Sequence, residues 1–285
     1  MRENTQKQVT GTISAPVTVI RPLRGWVPIQ LGDLWKYREL LYFLIWREIK
    51  VRYKQTVLGF AWAILQPLFM MIVFTLFFGN LAKIPSEGIP YPLFNYAALL
   101  PWILFAEGVS RSSMSMVSNV NLIQKVYCPR LVMPLSGTLS PLVDFAIAST
   151  ILIGLMFYFG YSLTIKVLLL PAFVLLALMT SLGVGLWLSA INVKYRDVRY
   201  AVPFLTQLWL FASPVVYSSS LLPERFQALY GLNPMAGVIE GFRWALLGTE
   251  PPGYLIAISV IIVMVTLISG AFYFRREEKT FADVI

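Results

Sequence analysis

Between Trp46 and Gln66 the sequence WREIKVRYKQTVLGFAWAILQ passes from a densely basic segment into an apolar one. Arg47, Lys50, Arg52 and Lys54 come first, and after Lys54 no charged residue appears until Lys83. A helix crossing a hydrocarbon core of about 30 Å needs about 20 apolar residues, and the uncharged run from Gln55 to Ala82 exceeds that. The chain therefore enters a membrane here. Lys and Arg are retained on the cytoplasmic side, so the cations ahead of the span set the orientation of everything downstream.

Composition agrees with that junction. Of 285 residues, 58% are hydrophobic and only 13% are charged, whereas a soluble domain averages about 25% charged residues. The net charge of +9 could point to nucleic acid, but its placement argues against it. With six spans and both termini cytoplasmic, 19 of the 23 Lys and Arg fall in cytoplasmic segments; Lys83, Lys166, Arg225 and Arg243 are the exceptions. Such asymmetry is a topology signal, so no nucleic-acid partner is expected. Met1 to Ile20 is polar and mixed, without the apolar core or cleavage site of a signal peptide. Histidine is absent and Cys128 is the one cysteine. The commonest general base, the commonest metal ligand and any cysteine-cluster metal site are thereby removed, and no metal is expected.

In chain order, residues 1–32 lack helical periodicity and read as a cytoplasmic extension. Residues 33–56 read as an amphipathic interfacial helix, with Leu34, Tyr37, Leu41, Ile45 and Ile49 on one side and Lys36, Glu39, Arg47, Lys50 and Lys54 on the other. Glu48 and Arg52 are spaced to pair at i,i+4. Six spans are expected within residues 57–274: Val57–Ala82, kinked at Gln66-Pro67; Pro92–Met116, with Glu107 spaced to pair with Arg111; Leu131–Tyr161, interrupted by Pro141 and Asp144; Val167–Ile191, with Gly183 and Gly185 permitting close packing; Ala201–Tyr217; and Tyr254–Phe274. Cytoplasmic loops at 118–134 and 192–200 separate them. Residues 221–248 hold two apolar pieces, each too short to cross a bilayer, divided by Asn233-Pro234 and punctuated by Glu224, Arg225, Glu240 and Arg243. They read as a re-entrant helical hairpin on the outer side. Residues 275–285 form a charged cytoplasmic tail. The fold class is thus an all-α polytopic membrane protein.

There is no G-x-x-x-x-G-K-[ST] phosphate loop, no carboxylate pair placed as in a glycosidase, and no chain of membrane-embedded charges fit for a proton relay. A permease-like protein without an engine of its own remains. The runs RYKQTVLGFAWAILQP, LLPWILF, NLIQKVYCPRLVMP, NVKYRDVRYAVPFLTQLW, SPVVY, LNPMAGVIEGFRWALLG and FADVI resemble, in order, the permease subunits of ABC-2 type exporters of bacterial surface polysaccharide: O-antigen, capsule and teichoic acid.

That resemblance implies a homodimer of six-helix subunits in the bacterial cytoplasmic (inner) membrane, bound to two copies of a separate ATP-binding-cassette subunit. ATP and Mg would sit on that partner, so this chain itself is no enzyme and carries no cofactor. The cargo would be a polyprenyl-diphosphate-linked polysaccharide, its headgroup received by Arg47, Lys50, Arg52 and Lys54 beside membrane lipid. Asn119, Asn121, Leu122, Lys125, Tyr127, Pro129 and Arg130 would couple to the ATPase, and Arg196 and Asp197 would pair in the second cytoplasmic loop. Trp62, Gln66, Gln207, Trp209, Phe211 and Tyr217 are the candidate channel lining. Against lining, Trp and Tyr near span ends serve as interfacial anchors. Other classes are an ABC-2 exporter of lipid or drug, an ion-coupled transporter, and an intramembrane glycan-modifying enzyme.

Overall fold

The computed structural model describes residues 31–54, 59–125, 128–221, 223 and 230–281. Residues 1–30 of the N-terminal extension lie outside these, as do Thr56, Tyr127, Glu224, Arg225 and the last four residues of the FADVI terminus. Among the described residues all regular structure is helical. This follows from the solvent, because a spanning segment in lipid must satisfy its own backbone N–H and C=O groups.

The helices are α1 (Leu31–Lys36), α2 (Arg38–Lys54), α3 (Gly59–Phe74), α4 (Tyr91–Ser118), α5 (Val120–Lys125), α6 (Val132–Leu139), α7 (Leu142–Tyr158), α8 (Leu170–Lys194), α9 (Val198–Phe211), α10 (Pro234–Leu247) and α11 (Gly253–Glu277). Helix α3 widens into a π-helical segment over Thr75–Leu81. Among the described residues five stretches are long and apolar enough to cross a membrane: Gly59–Leu81, Tyr91–Ser118, Val132–Tyr158, Ile165–Lys194 and Gly253–Thr280. They fall on the expected first, second, third, fourth and sixth spans.

The expected fifth span differs. Helix α9 ends at Phe211, ahead of Ser213-Pro214, where proline can neither donate to the ladder nor fit the preceding turn. Its 14 residues rise about 21 Å at about 1.5 Å each, short of a hydrocarbon core of about 30 Å. The chain continues without regular helix over 212–217 and reaches the start of α4, where the Tyr91 hydroxyl donates to the Val216 carbonyl (2.7 Å).

Helix α4 is the hub, touching α3, α6, α7, α8, α9 and α10. Over its most apolar 18 residues it is 78% buried, against 17% for the α3 span. One cluster, including Phe94, Trp102, Phe105, Phe173 and Phe242, fills most of the bundle. A second, including Leu44, Met116, Cys128, Met133, Phe274 and Phe281, closes the end at which α4, α8 and α11 terminate. The two predicted glycines face different neighbours: Gly183 lies against the α11 backbone at Leu267, and Gly185 against Ser112 of α4.

Helices α1 and α2 pack partly through the apolar side read from the sequence, with Leu34, Tyr37 and Leu41 against the second cluster. The inward face centres on Leu44, with Tyr37, Leu40 and Leu41 beside it, while Trp35, Tyr42 and Trp46 on the opposite face are exposed. Apolar residues thus occupy two faces, which is why a single apolar stripe is a poor description. The helix also climbs along the α6–α7 stretch rather than crossing it: Leu44 packs by Met133, Glu48 accepts from Ser136 (3.4 Å), and Tyr53 donates to Asp144.

A Cβ at Gly183 would sit 2.8 Å from the Leu267 backbone nitrogen, whereas one at Gly154 would meet nothing within 4 Å. Gly183→Ala should therefore cost about 1–3 kcal/mol through overpacking and lower the thermal midpoint of the detergent-solubilised protein. Gly154→Ala should leave the midpoint unchanged or slightly raised.

Candidate functional site

The residues predicted for the headgroup separate into two groups. Lys50 and Lys54 are exposed. Arg47 and Arg52 turn inward. The Arg47 guanidinium donates to the Asn119 side chain, whose amide in turn donates to the Ser115 carbonyl (2.7 Å). A residue predicted for substrate thus grips one predicted for coupling.

Arg52 anchors a charge cluster. Its guanidinium bonds Glu107 of α4 (Nη2–Oε2 3.0 Å) and pairs with Asp144 in the first turn of α7. The Tyr53 hydroxyl donates to the other Asp144 oxygen. The expected Glu107–Arg111 pair is present (3.1 Å), but Glu107 is shared between two arginines. Glu107 lies three turns inside the nearer end of α4, at a depth where charge persists only if paired or watered. Two cations and two anions meet that condition together. Beside them opens a cavity of about 210 Å³, lined by Arg52, Tyr53, Glu107 and Asp144 at its polar part and by Trp62, Pro67, Leu100 and Phe145 at its apolar part.

The predicted lining residues are not gathered into one wall. Trp62 and Gln66 border this cavity, and both are exposed on α3. Gln207 and Phe211 lie on the open face of α9. Trp209 is turned into the core, edge-on to Phe105 (5.0 Å) and Trp102 (6.4 Å), and donates to Asn233 (3.0 Å). Tyr217 donates to the Phe211 carbonyl and accepts from Tyr230.

At the coupling loop, α5 is a helix of 6 residues. Leu122 and Ile123 pack inward on the second cluster, leaving Asn121, Gln124 and Lys125 exposed. Pro129 is half-buried, and Arg130 donates to the Glu278 carbonyl, tying the loop to the C-terminal turn. The neighbouring Cys128 thiol is pushed above its ordinary pKa by burial. Arg196 and Asp197 are exposed and form no ion pair among the described residues. Lys194 pairs at this end with Glu277 of α11, and Arg275 pairs with Glu278.

The residue that sequence reasoning underrated is Arg243. It is 2% exposed and donates to the carbonyls of Phe94 (3.1 Å), Val215 (2.7 Å) and Tyr217 (3.3 Å), with its guanidinium over the Phe94 ring. Two of those carbonyls belong to the irregular segment after α9. The signal available in sequence was an arginine within an apolar segment, three residues after Glu240, together with a span broken by Ser213-Pro214.

The family model of the ABC-2 type transporter matches residues 39–247. This chain belongs to that family. It is 34% identical over 261 residues to the O-antigen export system permease protein RfbA of Myxococcus xanthus, covering 89% of this chain and 98% of that protein. An O-antigen export system permease protein RfbA of Klebsiella pneumoniae is 27% identical over 248 residues, covering 87% and 95%. The polysialic acid transport protein KpsM of Escherichia coli is 25% identical over 249 residues, covering 83% and 92%. As an ABC-2 type membrane subunit the chain is a transport component rather than a catalyst.

Arg243→Gln should destabilise the protein by about 2–4 kcal/mol, since breaking a buried charged hydrogen-bond set leaves unpaired groups behind. The check is the denaturation midpoint in detergent, and an unchanged midpoint would contradict the role given to this guanidinium.

Proposed function

We propose that this chain is the membrane-spanning subunit of an ATP-driven exporter that moves lipid-linked polysaccharide, of O-antigen or capsule type, across the bacterial cytoplasmic membrane. The observation that carries the proposal is the near-full-length similarity to permeases named for O-antigen and polysialic acid export. Membership of the family implies a separate ATP-binding-cassette partner; in this reading two copies of it serve each assembly and carry the ATP and Mg for hydrolysis. Both termini face the cytoplasm, which the positive-inside rule supports.

The fifth crossing combines α9 with the irregular segment 212–217, whose carbonyls Arg243 and Tyr91 satisfy, making six crossings in all. Non-helical backbone at membrane depth is tolerated only where protein or water surrounds it. Helix α10 is the returning limb of a re-entrant hairpin. Its N-cap Asn233 bonds Trp209, which packs midway along α4, while Arg243 near its other end bonds Phe94, close to the start of α4.

The working unit is a homodimer. Helices α3 and α9 each present an open face on which Gln66 and Gln207 stand among apolar neighbours. An amide facing hydrocarbon without a partner is costly; a second copy closing over these faces around a polar path removes that cost. Trp62, Gln66, Gln207 and Phe211 then border the path, with Trp209 and Tyr217 supporting it from behind. The polyprenyl diphosphate is received at the Arg52 cavity, with Lys50 and Lys54 at its approach and Arg47 bracing α2 against Asn119. Asn121 and Lys125, seated through Leu122 and bounded by Pro129 and Arg130, form the ATPase contact, with Tyr127 in the same loop and the Arg196–Asp197 turn beside it.

Purification of the tagged protein from its native membrane in mild detergent should bring down a stoichiometric phosphate-loop subunit. Making the exposed face of α5 acidic (Asn121→Asp with Lys125→Glu) should weaken that association by about tenfold or more, the scale of removing well-placed side chains at a standard interface. It should also abolish surface polysaccharide in a complementation assay. A chain that purifies alone while surface glycan is normal sinks the proposal.

A further inference from the structure

Arg52 is the one predicted headgroup cation that lines the cavity, yet its guanidinium already holds two carboxylates from two different helices. The four charges of Arg52, Arg111, Glu107 and Asp144 cancel. A phosphate arriving at Arg52 therefore cannot simply add to the site; it must take the place of an anion already there. We infer that Asp144 is a placeholder for phosphate oxygen: it occupies Arg52 while the cavity is empty, and an anionic lipid phosphate displaces it, releasing α2 from α7. This rests on the reading of Arg52 as a headgroup contact and goes on to name the residue that regulates it.

The two carboxylates are not equivalent. Glu107 keeps Arg111 at 3.1 Å when Arg52 leaves, so its charge stays compensated from its own helix. Both hydrogen-bonding partners of Asp144 among the described residues, Arg52 and Tyr53, come from α2. Losing α2 strands Asp144, whose side chain is 15% exposed, whereas Glu107 loses only half of its partnership. Asp144 thus sets the resistance to displacement and Glu107 acts as a hinge point. Phosphate is suited to win the exchange, since it carries more charge and more acceptor oxygens than a carboxylate and matches the planar guanidinium fork. Arg52 is 34% exposed, so the incoming group has access to it. The apolar wall of Leu100, Ile103, Leu104 and Phe145 suits the first carbons of an attached chain, so the ligand class is a lipid phosphate rather than a free anion. Trp62 covers the same opening.

The test is binding of geranylgeranyl diphosphate, of phosphatidylglycerol and of inorganic diphosphate to the full chain in neutral detergent, for wild type and for Asp144→Asn, Glu107→Gln and Arg52→Gln. Asp144→Asn should bind geranylgeranyl diphosphate about tenfold tighter, and Arg52→Gln about tenfold weaker, the scale of making or breaking one charged pair at a binding site; Glu107→Gln should change affinity by less than about threefold. Inorganic diphosphate should bind weakly to all. Equal tightening toward phosphatidylglycerol assigns the site to membrane phospholipid, while tightening confined to the prenyl diphosphate assigns it to the cargo carrier. An ion pair that is merely structural predicts a lower melting point for Asp144→Asn with affinity unchanged or reduced, and that result overturns the inference. So does an equal response of Glu107→Gln, or no binding of any probe to a monodisperse Asp144→Asn protein. In that last case surface glycan display, measured separately, shows whether the export reading survives without the placeholder.

Discussion

Hydrocarbon offers a backbone no hydrogen-bonding partner, so any stretch of a membrane protein that leaves the helix must be satisfied by protein groups. In this chain that constraint comes to a point at Arg243. The segment after α9 cannot remain helical past Ser213-Pro214, and the carbonyls it exposes would otherwise be stranded. One guanidinium, with five donors in a fixed fork, answers two of them and a third from Phe94. It therefore ties the start of α4, the end of the α9 segment and α10 into one unit. The hydrogen bonds of this guanidinium go to carbonyls, which carry no formal charge, while the carboxylates of Glu87 and Glu240 share a cavity lining with it. Such a set of bonds has no competitor and holds one geometry.

The half-buried arginine cluster beside α2 is compensated by different means. Arg52 and Arg111 are compensated by the full charges of Glu107 and Asp144. A carboxylate can be exchanged for another anion at modest net cost, because the exchange trades one charge-assisted pair for another. The two arginine sites thus differ in kind. Both border a cavity, but the carbonyl-capped one, 2% exposed, is suited to permanence, and the carboxylate-paired one, with its Arg52 side chain 34% exposed, is suited to exchange.

Most of the architecture was legible from the sequence because lipid leaves so few options. Five spans fell where runs of uncharged apolar residues put them, and Glu107 found Arg111 at the expected i,i+4 spacing. What was not legible was every contact made at long range. Arg52 finds Asp144 across four intervening helices and Arg47 finds Asn119 across two, and nothing in local spacing singles out those partners. The lining residues were not separable from core residues for a different reason. In a chain whose helices are apolar all round, periodicity no longer separates core from lumen, so Trp209 on α9 reads the same from sequence as Phe211 although one is packed on Phe105 and the other is exposed. Along α1 and α2 the expected Leu34, Tyr37 and Leu41 do pack inward, but Trp35, Tyr42 and Trp46 are as apolar and stay exposed on the opposite side.

Helix α2 joins these threads. Arg47 and Arg52 stand five residues apart on one continuous helix, a rise of about 7.5 Å at about 1.5 Å per residue. The first holds Asn119 at the head of the coupling loop, and the second holds the carboxylates beside the cavity. Between them Glu48 reaches Ser136 of α6. A helix without an internal proline or glycine resists bending over so short a span. Displacing it at Arg52 must then shift Arg47 unless one of these contacts breaks first. The Asn119 side chain is itself bonded to the Ser115 carbonyl within α4, so the coupling loop is braced on the hub and on α2 at once. A change at the cavity reaches that loop through two side chains on a single rod, which is a shorter mechanical path than any running through the packed core of α4 and α8.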